Sequence, residues 1–369
     1  MTRARTFGLP LSGIPGPHNA ITDVPGVEVG YRTLISGDGP LRRGAGPVRT
    51  GVTAILPRGR TGYHDPCAAG IYSLNGNGEM TGSHWIAETG ALTLPVLITN
   101  THAVGASHRG AIDWARRERP DAQEWMLPVV AETWDGYLND IDGDHVRPEV
   151  AVAAIDAARG GPVEEGSVGG GTGMNCYEFK GGSGTSSRTV PHGRDTYTVG
   201  AFVQANFGTR RQLTVCGVPV GVDLADDNPI ADPAWLAPPG AGSVIVVIAT
   251  DAPLLPGQCT ALARRVPLGL ALTGTYGGHG SGDIFLAFST GNPGAISGGF
   301  PTGDPGYDAL RFVPWNRIDP FYEAVVQVVE EAVLNALFAA RTMVGRDGHR
   351  SPGLPQDRLK DLLTARGVL

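Results

Sequence analysis

Short apolar runs rich in β-branched residues alternate with segments of helical period along the whole chain, and this alternation limits the fold more than any other feature. Strand-like runs are expected at Gly51–Leu56, Pro95–Asn100, Thr198–Ala205, Leu213–Val220, Ser243–Thr250 and Asp283–Ser289. Helical spacing of apolar residues appears at Ala103–Arg117, Glu149–Arg159, Gly257–Val266 and most clearly at Phe321–Met343, which stops before Gly345. Strands and helices intermixed without a break in composition predict a layered α/β architecture. At 369 residues, one or two domains are both allowed. With 55 glycines and 29 prolines, many tight turns must join the elements, while a hydrophobic fraction of 41% supplies a core and argues against disorder. The best candidate for an exposed linker is Asp223–Gly242, where Pro and Gly recur and no period survives. A short amphipathic segment, Gln356–Arg366, is free to pack on the body or on a neighbouring subunit.

Charge and cysteine content exclude several classes of partner. The net charge is −7 and the 29 cationic residues form no runs, so nucleic acid is not an expected ligand. Cys67, Cys176, Cys216 and Cys259 lie far apart with no CxxC pair and no finger-like histidine spacing, and read as free buried thiols with no metal site and no disulfide framework. Glycine and proline interrupt the first residues before any apolar stretch of signal-peptide length, and no later run reaches ~18 uninterrupted apolar residues. The expectation is a soluble cytoplasmic protein that does not engage a membrane.

No HExxH, GxSxG or GxxxxGK[ST] pattern is present, which removes the zincin, α/β-hydrolase and P-loop readings. The glycine cluster Gly166–Arg188 has backbone amides enough to surround an anion, yet it lacks dinucleotide-fingerprint spacing. Tight packing or a substrate-side loop is the reading preferred for it. More informative is Gly240-Ala-Gly-Ser243, which runs into the apolar VIVVIATD. A serine after the small, unhindered Gly242 can attack the carbonyl before it, shift the acyl group from nitrogen to oxygen and leave, after hydrolysis, a new N-terminal Ser243. Its α-amine, with a reference pKa of about 8, can then take the proton from the same residue's hydroxyl. Gly-Ser is also a common dipeptide, and an ordinary loop-to-strand turn would explain it equally well. In His279-Gly-Ser281-Gly-Asp283, the hydroxyl and the carboxylate stand two apart at the head of an apolar run and share a face if the strand starts there. They can relay and hold a proton on the Ser243 amine, or Asp283 can simply finish a strand end.

From end to end the chain resembles the DmpA-like aminopeptidases, which include the L-aminopeptidase/D-esterase enzymes and the β-peptidyl aminopeptidases. The residues that carry the resemblance are Ala20–Gly30 (AITDVPGVEVG), Gly76–Gly82 (GNGEMTG), Val130–Gly136 (VAETWDG), Gly169–Asn175, Phe179–Gly182, Gly184–Arg188, Val203–Gly208 (VQANFG), the Gly242–Ser243 junction and Gly280–Ser289. The resemblance implies one domain over 1–369, an αββα sandwich of the type shared with ornithine acetyltransferases, self-cleaved into an α chain 1–242 and a β chain 243–369. It implies Ser243 as nucleophile, Ser281 and Asp283 as supporting hydroxyl and carboxylate, and Asn206 as side-chain oxyanion donor. Glu132 would hold the substrate's amino group. Trp134 stands where some relatives have tyrosine, and its indole N–H donates but does not accept. The implied activity is release of N-terminal residues from short peptides, amides or esters of L-α-, D-Ala or β-amino acids, without metal or organic cofactor, by a tetramer of αβ units. The alternatives are acetyl transfer from an acetylated amino acid on the same fold, and a non-cleaving relative that binds an anion.

Overall fold

The computed structural model of the chain describes residues 2–120, 125–231, 242–298 and 306–369. Two sheets carry the architecture. A four-stranded sheet runs in the order β1 (Glu28–Ser36), β2 (Val48–Leu56), β5 (Val96–Asn100), β6 (Val129–Thr133). A six-stranded sheet runs β4 (Ala91–Leu92), β3 (Cys67–Ser73), β12 (Ser281–Ser289), β11 (Gly242–Thr250), β10 (Asp195–Asn206), β9 (Gly182–His192). Two small hairpins pair β7 (Asn175–Cys176) with β8 (Phe179–Lys180) and β13 (Met343–Val344) with β14 (Arg350–Ser351).

The sheets face each other. Ile55, Val96, Ile98 and Val129 from one meet Phe202, Ile245, Val247, Leu286 and Phe288 from the other in a buried inter-sheet core. On the outer face of the smaller sheet, helices Val104–Glu118 and Pro148–Asp156 pack Trp114, Ala111 and Ile155 against Val52, Ala54 and Val130. On the outer face of the larger sheet, helices Pro256–Ala263, Val266–Leu272, Asp319–Ala339 and Gln356–Ala365 cover Val244, Val246, Ile248 and Phe285. This is the expected αββα sandwich. A sheet covered on both faces explains why β11 reads as an uninterrupted apolar run: each side chain from Ser243 onward is buried, whichever way it points.

Several elements depart from the sequence reading. Leu213–Val220 is no strand: Cys216 and Gly217 both take positive φ (48° and 80°) in a tight turn closed by the Val215–Val218 bridge, and the chain reverses there. The helix begun at Pro256 ends at Ala263, because Pro267 has no N–H for the Ala263 carbonyl and its ring would crowd it. The long helix is Asp319–Ala339, four residues shorter at its end than expected; Ala340 turns extended and residues 343–344 join the β13–β14 hairpin. Its buried face makes it core, and Gln356–Ala365 anchors on the body through fully buried Leu359 and Leu363.

The glycine cluster resolves into packing and a strand. β9 is mostly small polar residues, so no apolar alternation betrayed it. Its hydroxyls bond to the neighbouring helix and strand instead, Ser186 Oγ to the Val328 carbonyl (2.7 Å) and Thr185 Oγ1 to the Ala201 carbonyl (2.7 Å). A Cβ at Gly184 would lie 2.0 Å from the Ala332 carbonyl, so glycine lets helix Asp319–Ala339 approach the strand backbone. Three cysteines are buried and free as expected, while Cys216 is only half-buried. Of the predicted linker, residues 232–241 lie outside the described residues; Asp223 closes a short helix and Gly242 already belongs to β11. Among the described residues, no helix is long and apolar enough to cross a membrane.

Candidate active site

The predicted residues converge at one end of the larger sheet because of strand register. β11 and β12 are parallel, with Gly242 beside Ser281, Ser243 beside Gly282 and Val244 beside Asp283. β10 runs antiparallel on the other side, and its last residue, Asn206, sits opposite Ser243. The Gly242–Ser243 peptide is thus flanked by Ser281 on one strand and Asn206 on the other. Gly242 is glycine for want of space: a Cβ there would stand 2.4 Å from the Asn206 carbonyl oxygen and 3.0 Å from Phe207 Cα.

Strand alternation separates the functional groups by face. Ser243 shares its parity with Ile245 and Val247 of the inter-sheet core, whereas Ser281 and Asp283 share theirs with Phe285 and Ala287 of the helix-side core. The Ser281–Asp283 pair therefore addresses the backbone of β11 and not the Ser243 hydroxyl. Asp283 accepts from the Val244 backbone N–H, and Ser281 Oγ donates to Asp283 Oδ1 at 2.5 Å. Burial raises the Asp283 pKa above the ordinary carboxylate value, opposed by hydrogen bonds from Ser281, Asn75 and the Val244 N–H. The Ser243 hydroxyl is buried and has no hydrogen-bond partner among the described residues. Among the described residues, no side-chain base is paired with it.

Asn206 is clamped. Its Oδ1 accepts from the Asn175 backbone N–H at 2.9 Å and its Nδ2 donates to the Trp134 carbonyl at 3.0 Å, which fixes the amide orientation and leaves one N–H over. Behind Asn175, the ammonium of fully buried Lys180 donates to the carbonyls of Met174 (2.7 Å) and Gly181 (2.9 Å), and burial lowers its pKa to about 7. Trp134 thus takes part through its main chain. Its indole, 37% exposed, lies over Gly136, where a Cβ would be 2.3 Å from the ring.

Glu132, at the end of β6, is 3% exposed. Its Oε1 accepts from the Glu79 N–H (2.9 Å) and its Oε2 from the Thr101 hydroxyl. Desolvation raises its pKa, against those two hydrogen bonds. Gly78 connects it to the nucleophile: a Cβ at Gly78 would be 3.0 Å from Gly282 Cα and 3.4 Å from Glu132 Oε1, and Gly282 is the neighbour of Ser243. Through Gly78, a buried carboxylate is packed toward the strand beside the serine, and it is suited to an ammonium group.

Sequence reasoning missed the supporting residues Asn75, Thr101, Asn175 and Lys180. Asn175 and Lys180 lie inside motifs quoted for the resemblance and Asn75 one residue before another; the partners of Asn75, Thr101 and Asn175 stand 208, 31 and 31 positions away, which local spacing does not encode.

The profile of peptidase family S58 matches residues 19–351. A β-peptidyl aminopeptidase of Sphingosinicella microcystinivorans is 48% identical over 98% of this chain and 91% of its own length. One from Sphingosinicella xenopeptidilytica is 44% identical over 99% and 91%. Among solved structures, the L-aminopeptidase D-Ala-esterase/amidase of Ochrobactrum anthropi, described as a prototype for the serine aminopeptidases and a variant of the Ntn-hydrolase fold, superposes with a TM-score of 0.92 at 44% identity over the whole of both chains. A Burkholderia β-aminopeptidase gives a TM-score of 0.89 at 46% identity over 99% of each. With a family match across most of its length and relatives that share nearly half its residues, the chain belongs to peptidase family S58 and is a hydrolase of the aminopeptidase kind.

Proposed function

We propose that the chain cleaves itself between Gly242 and Ser243 into segments 1–242 and 243–369, and that Ser243 then serves as N-terminal nucleophile in removing amino-terminal residues from short peptides, amides or esters. The observation that carries this reading is the register that sets the Gly242–Ser243 peptide between Ser281 and Asn206, with a buried Ser243 hydroxyl that has no side-chain base among the described residues. Such a hydroxyl needs another base, and cleavage creates one in the α-amine of the same residue, whose reference pKa of about 8 suits proton transfer near neutrality.

In processing, Ser243 Oγ attacks the Gly242 carbonyl carbon, the C–N bond breaks with nitrogen taking a proton, and water hydrolyses the ester. In turnover, Oγ attacks the carbonyl of the substrate's first residue as its proton passes to the α-amine. The remaining N–H of Asn206 stabilises the oxyanion. The protonated amine then gives its proton to the leaving nitrogen, and water, deprotonated by the same amine, releases the acyl group. Ser281 and Asp283 stabilise the protonated amine, their position toward the β11 backbone favouring this role. Glu132 pairs with the substrate's ammonium, which restricts attack to the first residue.

The relatives act on β-peptidyl and on L- and D-Ala substrates, and these are the classes we propose here. Trp134 at the rim is a candidate for choosing among them. Four free thiols favour a reducing, cytoplasmic setting, and a tetramer of processed units is the proposed assembly. Intact mass under denaturing conditions tests the core claim: wild type should give two fragments and Ser243→Ala one unbroken, inactive chain. Efficient cleavage or normal turnover by Ser243→Ala would end the proposal.

A further inference from the structure

Residues 74–79 form a strap across the start of β12 whose purpose the reading above does not use. Leu74 N–H donates to the Asp283 carbonyl (2.9 Å) and Asn77 N–H to the Ser281 carbonyl (3.3 Å), while Asn77 Nδ2 donates to the Gly280 carbonyl (2.8 Å). A Cβ at Gly282 would lie 2.3 Å from the Asn77 carbonyl oxygen, so the strap rests on the strand backbone. At its far end the Glu79 N–H holds Glu132.

Asn75 makes the contact most specific to the chemistry. Its Oδ1 accepts the Asp283 backbone N–H at 2.6 Å, and its Nδ2 donates to Asp283 Oδ2 at 2.9 Å and to the Gly278 carbonyl at 3.1 Å. The backbone N–H can only donate, so the amide orientation is fixed. One side chain grips both the main chain and the carboxylate of Asp283, leaving its other oxygen for the Ser281 hydroxyl. Such a grip fixes an aspartate, which has only two side-chain torsions, more completely than either bond alone.

We propose that Asn75 is a positioning residue for the reaction, holding the Asp283 carboxylate where it accepts from Ser281, and that the strap sets this pair in register with Glu132. The proposal rests on the reading in which Ser281 and Asp283 support the Ser243 amine. The groups facing Asp283 are Ser281, Asn75, the Val244 N–H and the phenol of Tyr177, which burial keeps neutral and which bonds to Thr273. Asn75 is therefore the side-chain amide that favours the ionised form, along with the Ser281 hydroxyl.

Asn75→Asp is the discriminating variant. It preserves shape and the acceptor for the Asp283 N–H but replaces the donor with a second carboxylate, and two carboxylates so close do not both ionise readily. Expected are a loss of kcat of at least about tenfold at pH 7, an acid limb of the kcat profile displaced to higher pH, and KM for an aminoacyl p-nitroanilide within about twofold of wild type. Asn75→Ala should lose kcat with a smaller displacement. The rate of precursor cleavage against pH, followed by intact mass, supplies the same comparison for any variant that processes slowly. Equal losses at every pH for both variants, or wild-type kcat and pH profile in Asn75→Asp while Asp283→Asn is inactive, would overturn the role of Asn75. Wild-type turnover in Asp283→Asn would overturn the relay on which it rests.

Discussion

Asn206→Asp isolates the proposed oxyanion donor with little change of shape. Asparagine at this position has two amide hydrogens, one spent on the Trp134 carbonyl and one free, while its oxygen accepts from Asn175. Aspartate keeps the acceptor. At 6% exposure it gains from protonation, and its single O–H then goes to the Trp134 carbonyl, the acceptor already in place. Ionised, it has no donor and brings negative charge to the place where the oxyanion forms. In either state the transition state loses its hydrogen bond, which removes roughly 3 to 4 kcal/mol and lowers kcat by about 10²- to 10³-fold. KM should move little, because the ammonium contact proposed at Glu132 is untouched. Steady-state kinetics on an aminoacyl p-nitroanilide, with precursor cleavage followed by mass, measure both reactions. A variant whose kcat stays within about tenfold of wild type, or whose defect lies in KM alone, would refute the assignment of Asn206.

Gly242→Ala would put a Cβ 2.4 Å from the Asn206 carbonyl, displace the Gly242–Ser243 peptide and slow the proposed precursor cleavage by at least about tenfold, seen as persistence of the full-length mass. Glu132→Gln removes the proposed charge-assisted hydrogen bond to the substrate amine, worth roughly 1.5 to 3 kcal/mol, so kcat/KM for substrates with a free amine should fall by about 10- to 100-fold, with smaller effect on an N-blocked ester. Because burial raises the Glu132 pKa, its carboxylate protonates at a higher pH than an exposed glutamate as the solution is acidified; KM should begin to climb correspondingly early, and Glu132→Gln should remove that limb. Glu331→Gln leaves the guanidinium of Arg188, 1% exposed and 2.6 Å from Glu331, without its buried partner, and should cost about 3 to 5 kcal/mol in chemical denaturation.

Much of the site was legible in local sequence because its chemistry is carried at short spacing. Ser281 and Asp283 stand two apart on an extended strand, so their shared face follows from the pleat alone, and the structure joins them by a hydrogen bond. The small residue before Ser243 and the apolar run after it likewise announced a strand mouth. The strands β1, β3 and β6 and the polar strand β9 were not announced. β9 satisfies its hydroxyls on the neighbouring strand and helix in place of burying an apolar stripe.

The sequence by itself determined most of the elements whose side chains repeat with the period of strand or helix, the layered α/β mixture they imply, and the residue types present for nucleophile, carboxylate and amide. Only the tertiary structure decided that Gly242 lies beside Ser281, that Asn206 faces Ser243 with one N–H to spare, and that Asn75 grips Asp283 across 208 positions of chain. Periodicity is a property of the backbone's own geometry and acts over a few residues. Register between strands, and the clamps that depend on it, are set by which distant surfaces exclude water together, and that choice is made only when the layers close.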